Sequence, residues 1–372
     1  MKRPLLSLSF LICILCFSCS EEEHGQNINL KWNKAYTEDT FERSSIGLKW
    51  ALSYLGSTIA NDASIKGIHF KDSIITLNPY QLGLSESASY NLNKLHDIFK
   101  NSEEYKKNNA FDLGRYIALT YGNSHHYYTI VDVPKSLEQF KELYTFDSIK
   151  GYIDNSSVSK VHRIISYSEV SENNSQGFIS AEIDSISNDT LEFETIQRMQ
   201  NGQLKFAVYD VNGELKNAAD NNVTRAGKPS KCIWCHETKI LPIFKPQKNH
   251  LGYLKVTSFN DSLKYFNRNL QDYQNTTWTD KSLLDKTLHE ELELLYISFM
   301  EPNAERISKE WNLPIVNVKQ KLAHLETHQH KEFPFLGNLY NRKDIDALSP
   351  VNRIEVPESI REQYSNEVNF LN

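Results

Sequence analysis

The chain has 372 residues, of which 41 are Lys or Arg and 47 are Asp or Glu, so its formal net charge at pH 7 is −6. This acidic balance argues against a nucleic-acid partner, because proteins of that class present a basic face to the phosphates. Hydrophobic residues make up 40% of the chain, which is enough for a sizeable core. The length predicts about two domains.

The first residues have the layout of an export signal. Two basic residues are followed by an apolar run, Leu5–Phe17, and then by a small residue and Cys19. The run is too short to cross a bilayer comfortably, and no later stretch approaches the length that a membrane span needs. We therefore expect a signal peptide over residues 1–18.

Phe17-Ser18-Cys19 resembles the lipobox of bacterial lipoproteins, in which the cysteine is acylated and becomes the new N-terminus. The resemblance implies a lipid on Cys19 that anchors the protein to a membrane. The acidic run that follows resembles the tag that directs some Gram-negative lipoproteins to the outer membrane. We therefore expect an outer-membrane lipoprotein that faces the periplasm or the cell surface, with residues 19–39 as a polar tether. A cleaved signal with a soluble product is the alternative.

The next part of the sequence, residues 40–221, predicts helices followed by strands. Apolar residues over 48–59 recur at spacings of three and four, which is the pattern of a helix with one buried face. Two further helices are predicted over 85–99 and 136–144.

Short runs rich in β-branched and aromatic residues predict strands over 161–167, 177–183, 191–200 and 203–211, with another strand after residue 214. The pairs Asn201-Gly202 and Asn212-Gly213 separate the last of these segments. Asn-Gly is a strong hairpin signal because both turn residues accept positive φ. We therefore predict an antiparallel meander.

After residue 221 a polar loop leads into a second helical region. The helical pattern begins at Ser258 and continues to residue 325, with its longest apolar stripe over 280–300. The whole sequence predicts an α+β protein: N-terminal helices with an antiparallel β meander, followed by a mainly helical C-terminal region over 222–372. The sequence suggests no role for residues 40–221.

Cysteine usage is the most informative feature of the composition. Of the five cysteines, two lie inside the predicted signal and Cys19 is the predicted lipid acceptor, so Cys232 and Cys235 are the pair that remains. Exported proteins ordinarily use cysteines for disulfides between distant segments. Here the two cysteines are three residues apart and are followed by His236, which gives the motif C-x-x-C-H.

Each position of this motif has a chemical role in attaching haem. Cysteines at i and i+3 lie on the same side of a helical turn, so both thiols can reach the two vinyl groups of one porphyrin. The motif is similar to that of c-type cytochromes. The resemblance implies one haem c, with its iron, per chain, with Cys232 and Cys235 as thioether cysteines and His236 as the proximal iron ligand. Haem of this type is attached outside the cytoplasm, in agreement with the export signal.

Two other chemistries use cysteines at this spacing. A zinc site could combine the two thiols with His328 and His330, which would give four tetrahedral ligands. A redox dithiol of the thioredoxin kind needs the motif between a strand and a helix of a βαβ unit. Here the motif follows an antiparallel meander and a loop. We therefore favour haem.

The second axial ligand of a c-type haem is usually Met or His, and this choice sets the potential. His330 and His328 are the first candidates, because alternate residues of an extended loop point the same way. Met300, at the end of a predicted helix, is the next candidate, and an open or water-occupied position is the last. His125-His126 is a further pair, interpreted as residues of a predicted strand.

Together these features predict a membrane-anchored mono-haem c-type cytochrome that transfers electrons in an extracytoplasmic redox system. Its expected partners are the membrane, through the lipid, and a redox protein. An electron carrier is favoured over a catalyst, and no catalytic residue is predicted. A haem enzyme or ligand sensor with an open sixth position is the first alternative. A surface-binding lipoprotein with a structural zinc at the Cys/His motif is the second.

Overall fold

The structure of the chain is a computed structural model, which describes residues 27–59, 66–358 and 367–372. The predicted signal peptide and the predicted lipid acceptor, Cys19, lie outside these ranges. The predicted α+β class is confirmed: 40% of the described residues are helical and 17% are in strands or bridges, and the C-terminal region is helical. No helix in the described ranges has both the length and the apolar character needed to cross a membrane.

The described residues form two β-sheets surrounded by helices and a few 3-10 turns. The strands are β1 (Ile28–Lys31), β2 (Ile68–Lys71), β3 (Ile74–Leu77), β4 (Phe111–Asp112), β5 (Gly151–Ile153), β6 (His162–Tyr167), β7 (Gly177–Ile183), β8 (Thr190–Arg198), β9 (Leu204–Asp210) and β10 (Leu215–Lys216). The helices are α1 (Phe41–Tyr54), α2 (Glu86–Asn101), α3 (Glu103–Asn108), α4 (Leu113–Leu119), α5 (Ser124–Ile130), α6 (Leu137–Glu142), α7 (Pro229–His236), α8 (Val256–Thr277), α9 (Lys281–Leu284), α10 (Glu290–Met300), α11 (Ala304–Trp311), α12 (Ile315–Leu322) and α13 (Arg342–Ala347). The 3-10 turns are Pro79–Gln81, Lys286–His289 and Pro334–Leu336.

The four-stranded sheet near the N-terminus has the strand order β2-β3-β1-β4. β1 pairs antiparallel with β3 and parallel with β4, and its Ile28 and Leu30 are fully buried. These residues belong to the range 19–39, for which the sequence predicted a polar tether. A strand that is paired on both sides and buries alternate side chains is part of the folded core, so the folded region begins by Ile28.

The predicted meander is present as a six-stranded sheet with the order β10-β9-β8-β7-β6-β5. Every pair of neighbouring strands is antiparallel. β5 at one edge was not predicted. β8 and β9 pair in register from Glu192 opposite Asp210 to Arg198 opposite Leu204. This register determines which residues of the two strands share a face of the sheet.

Both Asn-Gly pairs lie at hairpin turns, but their backbone geometry differs from the prediction. Only the glycines have positive φ, 82° at Gly202 and 83° at Gly213, and the asparagines before them do not. The Gly202 amide donates to the Met199 carbonyl over 3.0 Å. A type I turn followed by a left-handed glycine explains this pattern, in place of a turn with two left-handed residues.

The predicted N-terminal helices are present, and each begins at a side-chain cap. Thr40 caps α1 and Ser85 caps α2, each by accepting from the backbone amide three residues further on. The predicted strand at His125-His126 is wrong, because both residues lie in α5. There Asn123 caps the helix by accepting from the His126 amide.

One hydrophobic core connects the two predicted parts of the chain. Its buried members run from Ile28 to Val356 and include residues of both sheets and of α1, α2, α4 and α10. A smaller cluster lies between α11, α12 and α13. The predicted domain boundary at residue 221 stays a prediction, and the core is continuous across it.

A buried ion cluster joins α4, α11 and α13. Three guanidinium groups lie over the ring of Phe299, with Arg115 at 5.2 Å, Arg306 at 5.1 Å and Arg342 at 4.0 Å from the ring centroid. Glu310 accepts from Arg306, and from Arg342 over 3.0 Å. The cluster therefore fastens the C-terminal helices to the rest of the core.

Carboxylates balance these buried cations. Asp112 on β4 accepts from Arg306 over 2.9 Å, which links the small sheet to α11. Burial raises the pKa of Glu310, but the surrounding arginines, Arg342 first, outweigh this effect and hold its pKa well below the usual range. Glu310 is therefore a charged member of the core.

Glu310→Gln is expected to destabilise the fold by about 3–5 kcal/mol, because it leaves buried arginines without their shared carboxylate. The free energy of unfolding from urea denaturation measures this loss. Glu305→Gln on the same helix is the matched control, since Glu305 pairs with Lys319 at an exposed site over 3.2 Å. Such an exposed pair contributes about 0–1 kcal/mol. Equal losses in the two variants would contradict the role given to Glu310.

Candidate functional site

The C-x-x-C-H motif lies on the short helix α7. Pro229 is in its first turn, where a missing N–H does not weaken the helix. Glu237 ends the helix in the left-handed conformation, with φ 43°, and its amide donates to the Ile233 carbonyl over 2.8 Å. Thr238 also has a positive φ, 65°, so the chain reverses direction directly after His236.

The residues of α7 divide between two environments. Ile233 is fully buried and Trp234 is 7% exposed, and the Trp234 ring packs on aromatic residues of the core. These two residues attach the helix to the rest of the protein. Cys232, Cys235 and His236 instead line a cavity, which we call the motif cavity.

The motif cavity lies between α7, the six-stranded sheet and the segment that follows α7. Its empty volume, including the open mouth, is about 1270 Å³. Its apolar walls come from Ile165, Phe178, Ile196 and Phe206 of the sheet, from 240–244 after α7, and from Phe259 and Leu263 of α8. The two cysteines and His236 therefore border a mainly apolar space.

His236 is held as a neutral imidazole with one ring nitrogen already bonded. Nδ1 lies 3.1 Å from the carbonyl oxygen of Lys239, and since a carbonyl only accepts, Nδ1 carries the proton. Burial lowers the pKa of His236 to about 4, so the ring is uncharged at neutral pH. Nε2 has no hydrogen-bond partner among the described residues. Its lone pair is therefore available to a metal.

The two cysteines are not joined in a disulfide. Cys232 is half-buried and Cys235 is exposed. Burial raises the pKa of the Cys232 thiol, and the carboxylate of Glu194 raises it further. A raised pKa is the opposite of the thiolate activation that a redox dithiol needs, and α7 does not belong to a βαβ unit. The geometry therefore gives the redox-dithiol alternative no support.

One charged cluster of the six-stranded sheet borders the motif cavity. Arg163 on β6 pairs with Glu182 over 2.8 Å and with Glu194 over 3.0 Å. Arg163 and Glu194 line the cavity. Burial and the charge of Glu194 raise the pKa of Glu182 to about 7. Protonation of Glu182 would therefore bring this cluster, one guanidinium and two carboxyls, toward electrical neutrality.

The predicted sixth ligands lie elsewhere in the structure. Met300 is buried at the end of α10, His328 is 3.2 Å from the carboxylate of Glu301, and His330 stacks on a neighbouring phenylalanine. None of the three lines the motif cavity. Among the described residues that do line it, His236 is the sole histidine and there is no methionine.

The zinc alternative has no ligand set in the described part of the chain. There, no group of three or more His, Cys, Asp or Glu side chains is arranged to hold a metal ion. His328 forms a β-bridge with Leu339, away from α7. The predicted zinc site of Cys232, Cys235, His328 and His330 is therefore not formed in this part of the chain.

The sheet residues that line the motif cavity are the part of the site that sequence reasoning missed. Ile196 on β8 and Phe206 on β9 are cross-strand partners, so they lie side by side on one face. The strand pattern predicted a sheet. No local signal in the sequence says that this face packs against the C-x-x-C-H helix, because the contact is made by residues far apart along the chain.

Comparison with known proteins gives no family assignment. No protein-family model, no curated protein and no solved structure matches the chain. The site is therefore interpreted from its own chemistry.

The buried, neutral state of His236 makes stability depend on pH. Its folded pKa, about 4, lies below the ordinary value of 6.5, so between these values the unfolded chain binds a proton that the folded chain does not. The contribution is complete above pH 6.5 and is lost as the pH falls toward 4. The full loss is at most about 3 kcal/mol for this one group.

His236→Asn is therefore expected to lose less stability than the unaltered chain when the pH is lowered from neutral to acid. Urea unfolding of the haem-free proteins measures the difference. His69→Asn is the matched control, since it makes the same substitution at an exposed histidine of β2. Burial also lowers the pKa of His126 to about 4. Since His126 is present in all three proteins, its contribution to the acid-induced loss of stability is the same in each. The same acid loss in all three would argue against a buried neutral His236.

Proposed function

We propose that this chain is a membrane-anchored c-type cytochrome with one haem, and that it transfers electrons outside the cytoplasm. The supporting observation is that both thiols and the unpaired nitrogen of His236 border one large apolar cavity. A five-residue motif could lie on any surface helix. Here all three of its reactive side chains line one cavity, and apolar walls of the kind that face a porphyrin surround them.

The residues present fit this prosthetic group. Cys232 and Cys235 would hold it by thioether bonds, and His236 Nε2 would bind its iron. When bound, the haem supplies a one-electron couple. The Lys239 carbonyl holds the tautomer and orientation of His236 and increases the basicity of the ring. The apolar walls would bury part of the haem surface, and such burial is one of the factors that set a haem potential.

The proposed location comes from the N-terminal sequence. A lipid on Cys19 would anchor the protein to a membrane. Because one acyl chain binds a membrane only weakly, stable attachment usually needs a second lipid or another signal. Cys19 and Ile28 are nine residues apart in the sequence. Such a stretch spans at most about 30 Å when extended, so the folded region would stay close to the membrane surface and to redox proteins there.

A second function, binding of a small ligand at the iron, is favoured by one specific observation. Among the described residues that line the motif cavity there is no methionine and no histidine besides His236. These are the side chains that ordinarily fill the sixth position of a c-type haem. An unfilled position would let a diatomic ligand reach the metal, as in a haem enzyme or a sensor.

Covalent haem attachment is tested with Cys232→Ala/Cys235→Ala. The unaltered chain, produced with its signal and with haem-attachment machinery, is expected to gain the mass of one haem and to give a pyridine haemochrome spectrum. The double variant is expected to give neither, because both thioether bonds are lost. His328→Asn/His330→Asn is the matched control and should keep its haem. An unaltered chain that is colourless and has the haem-free mass would overturn the proposal.

The sixth position is tested by adding carbon monoxide to the reduced protein. If the lining of the cavity holds no ligand opposite His236, the absorption spectrum is expected to shift on addition of the gas. Met300→Leu should leave the spectrum before and after addition unchanged, since Met300 does not line the cavity. A protein that resists carbon monoxide, and becomes sensitive to it in the Met300→Leu or histidine variants, would show that a predicted ligand reaches the iron.

A further inference from the structure

We propose that electron transfer by this protein is coupled to the uptake of one proton by Glu182, a buried carboxyl beside the motif cavity. When an electron reaches the haem from a one-electron donor, the Glu182 carboxylate binds one proton from solvent and becomes a carboxylic acid. The proton leaves again when the electron passes to an acceptor. The inference rests on the proposed haem and names the group that makes its potential depend on pH.

Glu182 belongs to a group of charged side chains on one face of the six-stranded sheet, which we call the carboxyl cluster. Glu182 on β7 is the cross-strand partner of Arg163 on β6 and of Glu192 on β8. Cross-strand partners project from the same face, and Glu194 and Ile196 follow Glu192 at alternate positions of β8. Since Ile196 lines the motif cavity, the carboxyl cluster lies on the face that borders this cavity.

The ion pairs of the carboxyl cluster leave one carboxyl in excess. Arg163 pairs with Glu182 over 2.8 Å and with Glu194 over 3.0 Å, and Lys216 on β10 pairs with Glu192 over 2.9 Å. In the described part of the chain, these two cations are the ones that pair with the three carboxyls. Glu182 and Glu192 are fully buried. Since a buried charge without a counter-ion is costly, the cluster is balanced when one of its carboxyls holds a proton.

Glu182 is the carboxyl best placed to hold this proton. It shares its cation, Arg163, with Glu194, whereas Glu192 has Lys216 to itself. The side chain of Glu194 is 16% exposed, so its charge is partly hydrated. Burial and the charge of Glu194 raise the pKa of Glu182 to about 7, against the opposing effects of Arg163 and two serine hydroxyls. Glu182 therefore gains or loses its proton near neutral pH.

Two features connect the carboxyl cluster with the motif cavity. Arg163, Glu194 and Cys232 all line the cavity, and the charge of Glu194 adds to burial in raising the pKa of the Cys232 thiol. Ser180 also lines the cavity, and its hydroxyl donates to Glu182 over 2.9 Å. Charges interact strongly in such a buried setting. A change of charge in the cavity therefore acts on the cluster, and Ser180 connects the buried carboxyl with the cavity.

The groups around Glu182 come from several elements of the fold. The charged and titratable ones are Arg163 of β6, Glu192 and Glu194 of β8, Lys216 of β10 and, beyond Glu194, the Cys232 thiol of α7. The segment before β6 contributes the uncharged Ser159, whose hydroxyl donates to Glu182. A thioether has no proton to lose. In the haem-loaded protein, the members of this set that titrate at acid and neutral pH are therefore the carboxyls.

The direction of the coupling follows from the charges. Oxidised haem iron carries one more positive charge than reduced iron, and a nearby positive charge favours a carboxylate over a carboxylic acid. Glu182 therefore binds its proton more weakly when the haem is oxidised. By linkage, the reduction potential falls as the pH rises through the range in which Glu182 titrates.

Potentiometric titration of the haem-loaded mature protein, from about pH 5 to about pH 9, measures this coupling. The proton affinity of Glu182 is expected to differ at least about threefold between the two redox states. This difference corresponds to a total fall in potential of at least about 30 mV, because a tenfold change in a one-electron equilibrium is about 59 mV.

Glu182→Gln is expected to abolish the fall, because an amide resembles the carboxylic acid in shape and cannot ionise. Glu194→Gln removes the neighbouring like charge, so Glu182 should stay ionised to lower pH and the fall should move at least about one pH unit toward acid. Glu194 is partly exposed, so this variant remains informative if Glu182→Gln does not fold. Glu214→Gln, at an exposed position before β10, is the matched control and should titrate like the unaltered chain.

Infrared spectroscopy of the haem-free chain tests the proton site without the proposed cofactor. The spectrum is expected to contain a protonated carboxyl band that is lost as the pH rises through neutral, and Glu182→Gln should lack this band. If no such band depends on Glu182, the carboxyl holds no proton and the inference is overturned.

The two measurements separate failure of the coupling from failure of the proposed function. A chain that has the carboxyl band but binds no haem would overturn the proposed function, and the coupling with it. A haem-loaded chain whose potential is the same at every pH would overturn the coupling alone. An equal fall of the potential in the unaltered chain and in Glu182→Gln would do the same, since another group would then be responsible.

Discussion

Helix α7 must bury Ile233 and Trp234 and at the same time leave Cys232, Cys235 and His236 beside open space. The helical period makes this possible, because residues three and four apart share one side of the helix. The left-handed turn after His236 then brings the Lys239 carbonyl to Nδ1. If α7 lost its buried contacts, the thiols and the imidazole would no longer border one cavity. The candidate haem site therefore depends on the packing of two side chains that take no part in its chemistry.

The six-stranded sheet packs against α7 and separates the cavities on its two faces. Along β8 and β9 neighbouring cross-strand pairs line different cavities. Ile196 and Phe206 line the motif cavity, whereas Gln197 and Lys205 line a second cavity on the other face. A shift of the register by one residue would exchange the two sets of side chains. The left-handed glycine at the β8–β9 turn, Gly202, is thus important for both cavities, since turn geometry sets the register.

The sequence predicted what is encoded locally. Strand composition and the two Asn-Gly pairs predicted the meander, and the spacing of Cys232, Cys235 and His236 predicted three residues that the structure places on one cavity. β1 was missed because its pairing partners lie more than forty residues away, and a short strand among polar residues resembles a tether. The proposed sixth ligands were chosen by residue type and separation along the chain. Residue type and separation along the chain do not indicate on which face of the fold a loop lies.

Charge balance distinguishes the parts of the molecule that maintain the fold from those suited to bind ligands. Around Phe299 the arginines share carboxylates, so the cluster is complete without any further group. Arg163 beside the motif cavity is likewise paired with two carboxyls, so that wall of the cavity presents no cation without a counter-ion. Arg198 breaks this rule, because it is buried and contacts the Asn269 amide and the Tyr273 ring without a carboxylate of the described chain beside it. Since a buried cation without a counter-ion is costly, this arrangement stabilises the fold less than the carboxylate pairs do elsewhere in the core.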